Sequence, residues 1–504
     1  SQCANILVIM TPPAYSSQLA YIELWRELSL RGHKVTLVTP NPINDPKLTN
    51  LTEIATKDTH RKVSNLTRFA DSVVTSWNIY YYTHGVFREV SEMLHQYSKI
   101  RNLVNKSDVK SFDVVLVYFL SPEFLYLGEV YNCPTILYSS YYLHSYYYYL
   151  RGDMPHPASF ADMGLQMFQP QNFQDRLLST IYNMHIWYAK VFTEYPEREE
   201  IIQRYSKRKV NVEQLIRNVD LLFVNTNPVI HGARSLNPTT IEIGYERKLL
   251  HPEILDKDLK SFMDSSRDGF IYFSLGSTLK SKDLNKQFIK TIVEILAEIP
   301  LKIIFKYEAD DLTDMARNIL FVKWAPQYTI LRHPNIKLFI TQGGFHSMEE
   351  AIYSGVPMIA IPIFIDQKYN GQIMEAKGIG KIVNKMTVKM DLRSAIMDIL
   401  NNSRTLKIIS GSYKDNILKL RKLASDVPMN GLEKAIWWIE YVIRNKGAKH
   451  LRNPTSDLPF YQYAHLDVIA FLVLTVTVCL SIIIVSIRKL HKIIVQSTNK
   501  NKKE

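Results

Sequence analysis

The chain is poor in cysteine. Three in 504 residues, Cys3, Cys133 and Cys479, build no disulfide framework, and none of their spacings suits a metal site. A bridge between Cys3 and Cys133 is the one conceivable pair; two lone thiols are the expectation. Acidic charge is also short, leaving a net +13. No RNA- or DNA-binding motif accompanies that excess, which sets nucleic acid aside. Part of it has a local origin, since residues 488–504 hold six Lys/Arg against the single Glu504. A basic-then-apolar leader is missing as well. The chain runs from Ser1 almost directly into an apolar strand at 5–10, as expected where a signal has been cleaved before the numbering starts. Core material is plentiful: 46% hydrophobic and 11% aromatic residues exclude bulk disorder and suffice for two domains plus accessories.

One run contains no charge at all. Residues 468–487, rich in Val, Leu and Ile, match a bilayer core at about 20 residues per spanning helix. Basic residues directly after it predict a cytosolic tail and a body on the opposite, lumenal side. Asn50, Asn65, Asn105 and Asn401 each open an N-x-Ser/Thr sequon, consistent with that side.

Strand and helix patterns alternate along the body. The strand at 5–10 is followed by a loop at 11–17, an amphipathic helix over about 18–30 and a second strand at 34–38. Such a βαβ unit builds a parallel sheet whose ligands gather at the C-terminal strand ends, so the loop at 11–17 is expected to face a cleft. Further strands are expected at 112–117, 135–138 and 219–224, the last of the first domain, with helices at 177–191 and 198–205. The tyrosine-rich run at 141–150 suits either an aromatic acceptor pocket or a segment wedged between domains. A charged, loosely patterned join then precedes a second α/β series, with strands at 270–274, 301–306 and 320–323, a helix at 287–297, and closing helices at about 390–401, 413–424 and 431–444. The expected division is 1–245, a linker at 246–266, a second domain at 267–445, a juxtamembrane linker at 446–467, the span at 468–487 and a basic tail at 488–504.

The most informative stretch is 324–367. Residues 336–340 read as a buried strand, Thr341-Gln342-Gly343-Gly344 as a tight turn, 345–353 as a helix closed by Gly355 and Pro357, and 356–363 as the next strand, ending at Asp366-Gln367. Strand, glycine turn and helix start together make an anion site, because the backbone approaches a phosphate closely and free N–H groups point at it. A glycine turn before a helix is also a common plain connection. The joint spacing of Trp324, Gln327, Gln342, Gly344, Ser347, Glu350, Asp366 and Gln367 is more specific. It resembles the donor-binding signature of the UDP-glycosyltransferases, which move a sugar from a UDP-sugar onto small lipophilic acceptors. The likeness covers nearly the whole chain, in the style of the insect members.

That resemblance implies the GT-B arrangement: two doubly wound, Rossmann-like α/β domains facing a cleft, here with one C-terminal transmembrane helix. The last soluble helix is then expected to cross back onto the first domain. It also implies a single-pass type I protein of the endoplasmic reticulum membrane. Trp324 would stack on uracil, Gln327 contact base or ribose, and Glu350 take the ribose hydroxyls. Gln342, Gly344 and Ser347, with Gly276 and Ser277 of an earlier strand-to-helix turn, would hold the diphosphate, and Asp366 and Gln367 the sugar. Many relatives carry His where this chain has Gln342, and either side chain donates to a phosphate oxygen. UDP-glucose is the expected donor, no metal or other cofactor is implied, and homo-oligomerisation stays open.

The same resemblance exposes a gap. Transfer with inversion to a hydroxyl needs a general base. In the family this is a His after the first strand, oriented by an Asp after a later one. Here Tyr15-Ser16-Ser17-Gln18 puts Ser17 at the His position, and Tyr118 stands where the carboxylate belongs. Glu123 lies five residues further on and would have to reach back, while His33 matches a structural position. A serine hydroxyl keeps its proton at neutral pH. Amine or ring-nitrogen acceptors, which need no base, fit such a site. So does an impaired protein that binds UDP-sugar or a lipophile as a carrier or partner subunit, and so does a deliberate replacement made to trap a complex.

Overall fold

The apolar runs form two all-parallel sheets in the computed structural model, which describes residues 3–60, 75–105, 112–153, 156–244, 255–276, 281–309, 311, 316–363, 366–405 and 412–500. The first sheet comprises β1 (Asn5–Ile9), β2 (Lys34–Thr39), β3 (Leu51–Ala55), β4 (Val114–Tyr118), β5 (Thr135–Ser139), β6 (Leu221–Val224) and β7 (Thr240–Glu242), in the order β3-β2-β1-β4-β5-β6-β7. The second comprises β8 (Phe270–Ser274), β9 (Lys302–Lys306), β10 (Ile319–Val322), β11 (Ile336–Thr341), β12 (Met358–Ala360) and β13 (Gly380–Ile382), in the order β10-β9-β8-β11-β12-β13. β4 and β8 are buried along their whole length, as strands covered by helices on both faces must be. Each order switches direction once, between β1 and β4 and between β8 and β11. At such a switch the loops leaving the strand ends diverge and open a crevice for a ligand.

Periodicity and structure part company where tertiary packing outweighs local pattern. The expected helix over 18–30 is broken into Tyr15–Leu19 and Ile22–Leu30. Tyr21, at the break, has a non-helical φ of −125°. Its ring packs against Trp25 and Tyr138, and its hydroxyl donates to the Ser139 carbonyl at 2.7 Å. β6 is not the last strand of the first sheet, because β7 pairs outside it. The helices expected at 177–191 and 198–205 join into one run: Phe173–Ala189, a π-turn at Lys190–Glu194, and Tyr195–Ser206. Pairing of the strand after Gly355 stops at Ala360, and Asp366 caps the helix Gln367–Ala376 instead of closing that strand. Within the expected linker, 246–254 lies outside the described residues, while Lys257–Asp264 is a helix that buries Leu259 and Met263 in a core shared with Phe270 and Tyr272. All three cysteines are free.

The helices Val388–Thr405, Tyr413–Ser425 and Gly431–Arg444 follow the second sheet. The last one crosses onto the first half. Arg31 Nη2 donates to both Glu433 oxygens at 2.8 and 2.9 Å, and His33 Nε2 stands 3.4 Å from Glu440. His33 is buried and accepts the Ala4 N–H on Nδ1 at 3.3 Å, a structural position. Residues 453–504 separate as a second unit, and its helix Leu466–Lys500 runs on through the basic residues beyond 487. The stretch Leu466–Gln496 is long and apolar enough to cross a membrane. Among the sequon asparagines, Asn105 and Asn401 are exposed, Asn50 is half-buried with its amide donating to the Ser29 carbonyl at 3.2 Å, and Asn65 lies outside the described residues.

Candidate active site

Two glycine turns meet at the β8/β11 switch point. Gly276 follows β8 with φ +85° and Gly343 follows β11 with φ +86°, conformations that favour glycine. A Cβ at Gly276 would run into the Gln342 side chain, so the missing side chain is what lets the turns approach. The helix Phe345–Ser354 begins after Gly344, which has no side chain to cap it, and the Asp366 carboxylate takes the Phe345 N–H instead. Beside it Gln342 is buried with its amide oxygen unpartnered. The helix N-terminus favours negative charge, and Gln342 Nε2, which lies beside Gly276 and Gly344, is the donor of this amide that an anion can use.

The neighbouring side chains form a second, polar cluster. Gln327 Nε2 donates to Ser347 Oγ at 3.1 Å and to Glu350 Oε2 at 2.8 Å. Trp324 is 61% exposed, a large apolar plane left uncovered. Its ring lies 6.4 Å from that of Tyr15, from the opposite half. Asp366 accepts from Asn370 Nδ2 at 2.7 Å, and Gln367 Oε1 accepts the Ile363 N–H at 2.7 Å. Burial pushes the Asp366 carboxyl up, with the Asn370 bond opposing it. Gly276, Gln342, Gly344, Ser347, Asp366 and Gln367 line one cleft; Gln327 and Glu350 join it through Ser347. Ser277 lies outside the described residues.

Sequence reasoning missed two residues here, Lys306 and Asn370. Lys306 Nζ donates to the Gly276 carbonyl at 2.9 Å, pairs with Glu308 at 2.5 Å and stands 5.7 Å from the Trp324 ring centre. Asn370 also donates to the Gly343 carbonyl at 2.8 Å and accepts the Tyr142 hydroxyl at 2.9 Å, which ties the tyrosine run to the donor turn. No local signal marks these residues, because their partners are remote in sequence.

Ser17 lines the same cleft from the first half. It lies within hydrogen-bond reach of the Tyr118 hydroxyl, which also pairs with Ser140 Oγ at 2.7 Å. Burial pushes Tyr118 up to about 12 against those hydroxyl contacts, so both positions keep their protons at neutral pH. Glu123 does not reach back into the cleft: it is buried and accepts from Arg198 Nη1 at 2.7 Å. The tyrosine run divides between the cleft and the contact of the two halves. Tyr141 and Tyr147 line the cleft, while Tyr142 packs edge-on against Phe345 and Tyr369 of the second half.

A charge cluster that sequence reasoning did not single out closes the far wall. Glu194 accepts from Lys190 Nζ and from Arg198 Nε, both at 3.1 Å, and from the Tyr80 hydroxyl. Burial works against the charged carboxylate, yet Lys190 and Arg198 hold Glu194 well below the usual range. Spaced by four along a helix, these three charges read in sequence as an ordinary solvated face. Among the described residues no group of His, Cys, Asp and Glu is placed to hold a metal ion.

The family model for "UDP-glucoronosyl and UDP-glucosyl transferase" matches residues 4–503. UDP-glycosyltransferase UGT4 of Dactylopius coccus is 28% identical over 498 residues, spanning 97% of this chain and 95% of its own. UDP-glucuronosyltransferase 2B15 of Homo sapiens is 30% identical over 512 residues, spanning 95% and 92%. Among solved structures, the glycotransferase of kitacinnamycin superimposes with a TM-score of 0.61 at 18% identity, covering 88% of this chain and 100% of that one. CalG4, the calicheamicin glycosyltransferase, does so with 0.58 at 14% identity, covering 88% and 99%. The shared fold is GT-B. Two parallel sheets with their switch points on one cleft, and a family match along almost the whole length, lead to one conclusion: the chain belongs to the UDP-glucuronosyl and UDP-glucosyl transferase family, the UDP-glycosyltransferases.

Proposed function

We propose that the protein transfers a hexose, glucose in the first instance, from a UDP-sugar to a small lipophilic acceptor with inversion, as a conjugating enzyme. The cluster of Gln327, Ser347 and Glu350 at the start of Phe345–Ser354 carries this reading. Trp324 takes the uracil face, Gln327 and Glu350 the ribose, and Asp366 and Gln367 the sugar hydroxyls. Gly276, Ser277, Gln342, Gly344 and Ser347 surround the diphosphate. The helix dipole and the Gln342 amide N–H stabilise the leaving diphosphate, work that requires no metal. Opposite them, Tyr80, Phe87, Phe119, Tyr141 and Tyr147 offer ring surface to a flat acceptor. With only hydroxyls at Ser17 and Tyr118, a nitrogen acceptor attacking through its lone pair is the least demanding substrate. The uncharged run at 468–487, followed by Arg488, Lys489 and Lys492 on the same helix, fits a single-pass anchor in the endoplasmic reticulum membrane, with the body lumenal.

A second reading, an impaired UDP-sugar- or lipophile-binding partner subunit, is favoured by those same two hydroxyls. Incubation of the detergent-solubilised full chain with UDP-glucose and a panel of phenols and amines separates the two. Sugar conjugates formed equally with and without EDTA are the expected result. UDP binding without any conjugate supports a UDP-sugar-binding partner subunit, and no UDP binding rejects the transferase and leaves the lipophile carrier.

A further inference from the structure

A hydroxyl acceptor must lose its proton, and neither Ser17 nor Tyr118 can take it. In an inverting transfer the base sits with the acceptor, on the face opposite UDP, and so in the first half. Two titratable candidates there are already engaged. Glu194 is held by Lys190, Arg198 and Tyr80. His84 Nε2 faces Glu197 at 3.0 Å, and burial pushes its imidazole down, which makes it a weaker proton acceptor.

His144 is placed differently. It stands in the loop after β5, directly ahead of the helix Ser145–Leu150, and lines the cleft that also holds Gly276, Gln342 and Asp366. Its Nδ1 lies 2.9 Å from Asp162 Oδ1. Asp162 is buried and fixed from two further sides: Oδ2 accepts the Ser145 N–H at 2.8 Å and Oδ1 the Gly164 N–H at 2.9 Å. Although burial opposes it, His144 and these N–H donors hold the Asp162 carboxyl below its ordinary range, so it remains an acceptor. A carboxylate at Nδ1 selects the tautomer protonated there and leaves the Nε2 lone pair available. The edge of the Tyr80 ring, 5.8 Å between centres, packs against the imidazole. β1, β4 and β5 are neighbours in the sheet, so the loop of His144 leaves the same edge as that of Ser17, two strand spacings or about 10 Å away.

We propose that the pair of His144 and Asp162 supplies the general base for hydroxyl acceptors. The proposal rests on the transferase reading above. In the step, the acceptor oxygen bonds to the anomeric carbon as the bond from that carbon to the β-phosphate oxygen breaks, and the electron pair leaves with UDP. The hydroxyl proton passes to His144 Nε2. Asp162 balances the imidazolium, which then gives the proton to solvent, so the products are glycoside, UDP and one proton. Asp162 touches no substrate and acts as a positioning residue.

The test uses the full chain, UDP-glucose and two acceptors on the same ring, p-cresol and p-toluidine, with UDP affinity measured alongside. His144→Gln is expected to lower kcat for p-cresol by roughly 10²–10⁴-fold with little change in KM, while p-toluidine transfer and UDP affinity are retained. Asp162→Asn is expected to lower p-cresol transfer selectively too. Undiminished p-cresol transfer by His144→Gln overturns the proposal, as does an equal loss with both acceptors at intact UDP affinity. An unsubstituted protein that binds UDP but never glycosylates p-cresol also overturns it. Failure to bind UDP at all overturns the transferase reading itself.

Discussion

At Gly276 the backbone conformation and the position of the Gln342 side chain both forbid a Cβ. Gly276→Ala is expected to strain the turn by about 1–2 kcal/mol and to push Gln342 off it, weakening UDP binding roughly tenfold in a calorimetric titration. Unaltered affinity would remove this turn from the donor site. Ser347 and Glu350 are legible in the sequence because they stand one turn apart on the helix after the glycine turn. Gln327, on the separate helix Gln327–Leu331, is legible only through the family resemblance. Lys306 and Asn370 are not legible, since each acts through a contact made across the fold. His144 and Asp162 are eighteen positions apart with no regular element joining them, so nothing in the pattern pairs them.

Strands and helices were readable where burial and capping agree. The turn after β11 carries its glycines, and the helix it starts ends at Gly355 in the left-handed conformation with φ +71°. They were misread where packing wins, as at Tyr21, or where an element is too short for a period to show, as in the three residues of β7. The π-turn at Lys190–Glu194 belongs to the first kind: apolar periodicity marks helix on both sides of it but not the buried charges it carries. Glu194→Gln leaves Lys190 buried among the rings of Tyr80, Tyr147 and Tyr195 without its hydrogen-bonded counter-charge. A loss of about 3–5 kcal/mol is expected in urea unfolding at neutral pH. Because the folded carboxyl titrates below the unfolded one, its contribution is present above the unfolded value of about 4.3 and fades as pH falls through it toward the folded one. Glu194→Gln is therefore expected to flatten the acid limb of the stability curve.

On the scale of the molecule, two parallel sheets bring their switch points to one cleft, with the crossing helix Gly431–Arg444 clamping the halves together. One side of the cleft carries the two glycine turns, the start of the helix Phe345–Ser354 and the Asp366 carboxylate. The other is walled by tyrosines and carries a buried charge cluster. That division of labour stands or falls on whether the second half holds UDP. The direct measurement is a calorimetric titration of the full chain with UDP, beside Glu350→Ala. Saturable binding by the unsubstituted protein, weakened at least about tenfold in Glu350→Ala by loss of charge-assisted hydrogen bonds to the ribose, is the predicted result. No binding, or equal affinity in both proteins, would contradict the donor site as drawn.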